Sequence, residues 1–319
     1  MTRLGITIPI DSDGLVAQRG AIARLRELGY QDIWSAEVNQ YDAFTPLVLA
    51  NEWEPSMNLG TAIVPAFTRG PATLAMSAAA LGELAPGRFA LGIGSSSNVI
   101  VSQWNSTKFE RPFYRTRDTV RFLRLALAGE RVTRDFDTFS ISGFKLEAPP
   151  VVPPKILVAA LRPQMLKMAG QESDGAIINW LSAIDVRVVV PLVGEKKEIV
   201  ARIFVAPGAD RQTFLAQGRR VIAAYLNVGV YAEFHRWLGR GPKLNQMWEL
   251  WDKGDRRAAL GAIPEDVVDE LIIGGSPFEC KSRIQDYFDA GVDVAVLAIL
   301  PFGVDPVSAA LSLAPLSPS

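Results

Sequence analysis

Residues 58–97, NLGTAIVPAFTRGPATLAMSAAALGELAPGRFALGIGSSS, decide the fold of this chain. They open on a short apolar run, Asn58–Pro65, whose length and flanking turn residues read as a strand. Pro71 starts an alanine-rich stretch that runs to Leu84, and Gly87 stands just past its end. Proline at the start and glycine beyond the end is the asymmetry of a helix. A second apolar run, Phe89–Ser95, follows and becomes glycine-rich towards its C-terminal end. Strand, helix, strand in this spacing is a crossover unit of a parallel sheet.

The same alternation extends in both directions. Upstream, Leu4–Pro9 reads as strand one and Gly14–Leu28 as a helix with Leu15, Ile22, Leu25 and Leu28 on one face. Gly29 then supplies the C-cap. Asp32–Glu37 is strand two, and Asp42 can cap a helix over Ala43–Trp53. Downstream, a polar insertion, Ser96–Pro112, precedes a helix over Tyr114–Ala128, and Asp135–Leu146 reads as a small hairpin around Ser142-Gly143. Strands five, six and seven are expected at Lys155–Leu161, Gly175–Trp180 and Ile199–Val205, with a helix at Gln164–Gln171. A long helical region, Ala209–Leu260, breaks near Gly239–Pro242, and the last unit is a helix at Pro277–Ala290 and strand eight at Val292–Leu300. Eight strands with intervening helices predict a (β/α)8 TIM barrel with insertion segments, and 319 residues without a composition break predict one domain over 1–319.

Composition narrows the function. Apolar residues are 49%, enough for a barrel interior and an outer shell, while the formal charge of −1 gives no field for nucleic acid or anionic membrane. The apolar run Val294–Pro301 is far short of the roughly 20 residues of a membrane span. The first residues enter a strand rather than a charged and then apolar leader, so the expectation is a soluble, cytoplasmic protein. With one cysteine, Cys280, and one histidine, His235, neither a disulfide nor a multi-histidine metal site can be built. His235 lies in a helical stretch away from any strand end and reads as a packing residue; Cys280 reads as a small core residue.

In such a barrel the site forms at the C-terminal ends of the strands. Strand two ends at Glu37, followed by Asn39. A carboxylate in a partly apolar mouth can move protons; the competing reading pairs it with an arginine or uses it to cap the next helix. Strand four ends at Gly94-Ser95-Ser96, where glycine lets a flat ring approach; with serine at 97 it is not a dinucleotide fingerprint. Strand five runs into Ala159-Ala160-Leu161-Arg162-Pro163-Gln164-Met165, a helix start suited to phosphate, with Arg162 adding a charged contact. Strand six ends at Asn179-Trp180, and Trp180 and Trp104 fall where a ligand could be touched.

Several of these stretches together resemble the luciferase-like oxidoreductases, in particular their F420-dependent branch. They are Glu37–Leu47 (EVNQYDAFTPL), Gly60–Pro71 (GTAIVPAFTRGP), Pro86–Ser97 (PGRFALGIGSSS), Ala159–Gly170 (AALRPQMLKMAG) and Ala176–Trp180 (AIINW), with Trp104, Phe109 and Pro112 between them. The resemblance implies coenzyme F420 in the barrel mouth, with FMN as the alternative. It places the ring against a strand-three bulge with a non-proline cis bond at Ala62–Ile63, and the tail along Ser95, Ser96 and Ala159–Met165. It further implies hydride transfer to or from a small organic substrate near Glu37 and Asn39, and a homodimer. An FMN-dependent monooxygenase fed by a partner reductase and a non-catalytic F420-binding protein are the other readings. Sugar-phosphate dehydrogenases of this kind carry Asp-His at the end of strand two; Glu37-Val38 stands here instead, which argues against their proton relay.

Overall fold

The structure, a computed structural model, describes residues 2–11 and 13–315. Eight parallel strands close on themselves: β1 (Arg3–Thr7), β2 (Asp32–Ser35), β3 (Asn58–Thr61, resumed at Val64–Pro65), β4 (Phe89–Gly94), β5 (Lys155–Ala159), β6 (Gly175–Asn179), β7 (Glu198–Pro207) and β8 (Val294–Ile299). β8 pairs with β7 on one side and with β1 on the other, which leaves the ring without an open edge. This is the (β/α)8 TIM barrel that the alternation predicts.

The outer helices follow in chain order: α1 (Gln18–Glu27), α2 (Thr45–Trp53), α3 (Pro71–Leu84), α4 (Pro112–Leu127), α5 (Pro163–Glu172) and α6 (Ala183–Val193). Between β7 and β8 the chain makes an excursion through α7 (Arg211–Leu226), α8 (Gly229–Trp237), α9 (Gly241–Asp252), α10 (Arg256–Gly261) and α11 (Glu265–Leu271). A short strand, Ile273–Gly275, then pairs in parallel with the end of β7 before α12 (Pro277–Asp289); α13 (Pro306–Ser312) follows β8.

Three differences from the sequence expectations have local causes. The hairpin strands are Val132–Asp135 and Ser140–Phe144, and the turn closes where Phe136 N–H donates to the Phe139 carbonyl, so Ser142-Gly143 lies inside the second strand. Phe136, Phe139 and Phe144 all converge on Phe122 of α4, and that aromatic cluster sets the register. α6 has no counterpart in the sequence reading; its Val186, Val188, Val189 and Val190 are residues of strand preference. Its start is fixed by a capping box: Asp185 accepts from the Ser182 N–H at 2.7 Å, and the Ser182 hydroxyl accepts from the Asp185 N–H at 3.3 Å. The long helical region is broken not once but at several places, including Gly239 and Gly254, both in the left-handed region.

Apolar side chains fill the barrel: Trp34, Leu157, Ile177, Val200, Val294 and Val296 meet inside it. A second core, with Trp180, Phe204, Met247 and Trp248, lies between the end of β7 and the excursion helices. At the N-terminal end of the barrel Arg3 bridges Asp32 at 2.9 Å and Glu198 at 2.8 Å. Burial pushes the Asp32 carboxyl up, with Arg3 opposing. Burial acts the same way on Glu198, but Lys155 and Arg3 prevail and hold it below its ordinary range. This charged layer lies at the N-terminal end of the barrel, opposite the strand ends that carry the cavity.

Candidate functional site

That other end holds a cavity of about 810 Å³, lined by the C-terminal ends of β2 through β7. The alternation of side chains along each strand decides what enters it. Its floor is apolar: Ala62 and Ile63 come from the break in β3, and Ile177 from β6. The Ala62–Ile63 peptide is cis. The break is tied to β2, because Ala62 N–H donates to the Ser35 carbonyl and Glu37 N–H to the Ile63 carbonyl, at 2.6 and 3.1 Å.

One side is polar. Ser95, Ser96 and Ser97 follow β4, and Ser96 sits at φ 61, in the left-handed region that a non-glycine residue occupies at some cost. A π-helical turn over Val99–Trp104 comes next and contributes Val99, Ile100 and Trp104. Such turns recur at ligand sites. Across from it, Ala159, Ala160 and Leu161 lead into α5, whose first turn faces the cavity through Arg162, Gln164 and Met165. The first N–H groups of that helix have no earlier carbonyl to bond, and its dipole favours an anion.

Of the residues singled out from sequence, Glu37, Ala62, Ile63, Ser95, Ser96, Ala159, Ala160, Leu161, Arg162, Gln164 and Met165 all line this one cavity. Two do not. Asn39 is exposed and outside the lining. Gly94 is buried beneath it, and a Cβ there would lie 2.9 Å from the Ala159 Cβ. The space its missing side chain leaves is therefore taken by the neighbouring strand rather than by a ring. The same holds at Gly92, where a Cβ would stand 1.9 Å from the Thr61 carbonyl oxygen.

Glu37 has the partners that the structural reading expects. Arg69 Nη2 and Nε donate to its Oε2 at 3.0 and 3.3 Å, and the Ala43 N–H reaches the same oxygen at 3.3 Å. Oε1 is less committed, with only Thr68 Oγ1 at 3.5 Å. Trp104 is 53% exposed at the rim, whereas Trp180 is buried and stacked on Phe204 at 4.0 Å, behind the lining residue Tyr225. His235 and Cys280 are buried and lie outside the lining, as packing residues. Among the described residues no cluster of histidine, cysteine and carboxylate side chains is placed to hold a metal ion, and no helix is long and apolar enough to cross a membrane.

Sequence reasoning passed over Arg202 of β7 and Tyr231 of α8, both in the wall. A signal existed for the first: Ile199-Val-Ala-Arg-Ile-Phe-Val205 carries one charge in an otherwise apolar buried strand. Tyr231 carried none, because the excursion helices reach the mouth only through their tertiary packing.

Known proteins with this architecture bear on its chemistry. A family model described as luciferase-like monooxygenase matches residues 3–294. A 5,10-methylenetetrahydromethanopterin reductase of Methanolobus tindarius is 27% identical, with 93% of each chain aligned. A putative coenzyme F420-dependent oxidoreductase of Mycobacterium tuberculosis is 24% identical over 86% of this chain and 88% of its own. Among solved structures, the coenzyme F420-dependent tetrahydromethanopterin reductase from Methanopyrus kandleri superposes with a TM-score of 0.80 at 22% identity, covering 99% of this chain and 98% of that one.

Proposed function

The chain belongs to the luciferase-like monooxygenase family, and from that premise we propose that it is an F420-dependent oxidoreductase acting on a small organic substrate. The observation that carries the reading is the single cavity that gathers an apolar floor, a serine-lined side and a helix N-terminus. A relative aligned over 86% of this chain is named as a putative coenzyme F420-dependent oxidoreductase, which supports the same cofactor here.

The residues present fit such a group. A flat ring needs an apolar floor, which Ala62, Ile63 and Ile177 supply. An anionic tail needs donors, which the first turn of α5, Arg162 and the serines at 95 and 96 supply. When bound, the deazaflavin gives or accepts a hydride, two electrons moving with the hydrogen. The chain's own residues do the rest. Ala62 and Ile63 of the β3 break and Ile177 of β6 would support the ring from below. Glu37, fixed by Arg69, is the carboxylate that can accept or return a proton on the substrate through its freer Oε1.

The test is a titration of the purified protein with F420 and, separately, FMN, followed by ligand fluorescence and heat of binding. Saturable F420 binding at least tenfold tighter than FMN is the expected result. FMN preference overturns the cofactor assignment in favour of a monooxygenase fed by a reductase. A change in the bound cofactor's spectrum on adding substrate separates an enzyme from a cofactor-storage protein.

A further inference from the structure

Arg202 is the anomaly of the cavity. It lies on β7 directly beside Asn179 of β6 in the sheet register, two positions along from the core residue Val200. Strand alternation therefore turns it inward. Its guanidinium stands 5.0 Å from the Phe204 ring centre, and its buried Nε finds no hydrogen-bond partner among the described residues. The one carboxylate in the lining, Glu37, is already held by Arg69. A half-buried arginine whose Nε is buried and unpartnered, in a cavity with no free counter-charge, is completed when a ligand supplies one.

The neighbours of Arg202 specify the ligand's chemistry. Asn179 accepts the Trp180 N–H on its Oδ1 at 3.0 Å, which directs its amide nitrogen elsewhere, and that Nδ2 donates to the Tyr231 hydroxyl at 3.3 Å. Having accepted that bond, the Tyr231 hydroxyl has its own proton to give. Burial pushes the Tyr231 phenol up to about 12, so it remains a donor at neutral pH. Arg202 thus offers donors and a positive charge, and the Asn179 Nδ2 and the Tyr231 hydroxyl each have a proton still to give. A group with acceptors only, negatively charged and planar, matches them.

We propose that Arg202, with Tyr231 and Asn179, binds the carboxylate of the substrate, so that this protein acts on organic acids rather than on neutral alcohols or amides. The assignment rests on the reading of this cavity as the substrate and F420 site, and it places the recognition group on the β6–β7 wall, away from the α5 end that suits the cofactor's tail. Arg202 sets specificity here; no bond-making step is assigned to it.

Benzoate and benzamide, equal in shape and different in charge, are the probes. Calorimetry on the full chain, with and without saturating F420, is expected to show benzoate at least tenfold tighter than benzamide. In Arg202→Gln that preference disappears while the F420 dissociation constant stays within twofold. Tyr231→Phe, which removes one donor and preserves the fold, lowers benzoate affinity several-fold and leaves benzamide unchanged. Equal binding of the two probes to the unaltered protein overturns the proposal. So does an Arg202→Gln protein that loses F420 tenfold and keeps its benzoate preference, because the arginine then serves the cofactor. Failure of F420 to bind, with benzoate selectivity intact, removes the cofactor reading alone.

Discussion

His235 offers a measurement with little ambiguity, because it is the only histidine in the chain. It is fully buried in α8, and neither ring nitrogen has a hydrogen-bond partner of ordinary geometry among the described residues. Burial, followed by the charge of Arg240, pushes its pKa down from about 6.5 to about 3, with Asp185 and the Trp180 backbone opposing only weakly. The folded protein therefore binds fewer protons than the unfolded chain between those values. Stability from this group is fully present above pH 6.5 and is lost as pH falls towards 3. Each pH unit in that window costs up to about 1.4 kcal/mol, so the fall from pH 7 to pH 5 costs about 2 kcal/mol. That is a large share of a typical stability of about 5–15 kcal/mol. Urea unfolding of the unaltered protein and of His235→Phe at pH 7 and pH 5 isolates the effect, because the carboxylates titrate alike in both. The expected result is a pH loss in the unaltered protein about 2 kcal/mol larger than in the variant. The single imidazole resonance should also keep its neutral position down to pH 5. An imidazole that titrates near 6.5 in the folded protein, or equal pH losses in the two proteins, refutes the reasoning.

Three further perturbations test other parts of the structure. Gly92→Ala drives a Cβ to 1.9 Å from the Thr61 carbonyl oxygen and 2.3 Å from Ile177; backbone cannot yield cheaply, and the loss should be about 3 kcal/mol by chemical denaturation. Asp32→Ala removes one of the two carboxylates that Arg3 holds at the barrel floor, and a stability loss of about 2 kcal/mol is expected; a loss below about 0.5 kcal/mol contradicts a structural role for the pair. Glu37→Gln should lower F420-linked turnover by about 100-fold or more while cofactor affinity is retained. Unchanged turnover across pH would leave Glu37 as a partner of Arg69 and nothing more.

Legibility in the sequence followed the range of the interactions involved. β1 to β8 were readable because a buried parallel strand announces itself in a few consecutive residues, and α3 was bounded to the residue by Pro71 and Leu84. The ends of β4 and β5 were readable because glycine, serine and a helix start have local chemistry. The hairpin turn was misplaced because Gly143, at φ 73, looks like a turn residue and is in fact a bulge within a strand, its N–H donating to Thr133. α6 carries valines of strand preference, although Ser182 and Asp185 at a spacing of three mark its start. Tyr231 was invisible because only the folding of the excursion over the barrel brings it to Asn179. Arg202 was visible and passed over, and the rule it broke, a charge inside an apolar strand, is the kind that points to function.

The excursion between β7 and β8 begins and ends at one place: Gly208 N–H donates to the Gly275 carbonyl at 2.8 Å, and Pro207 and Gly275 are partners in register. The intervening helices supply the Ala224, Tyr225, Val228, Val230 and Tyr231 portion of the cavity wall and carry their own apolar core. A segment whose two ends meet can be lengthened, shortened or exchanged without altering the spacing of the strands it leaves and rejoins. The part of the cavity wall that this segment supplies can thus change while the strand ends that line the rest stay as they are. Exchange of residues 209–274 accordingly alters the Tyr225 and Tyr231 side of the cavity and leaves Arg202 and the barrel strands in place.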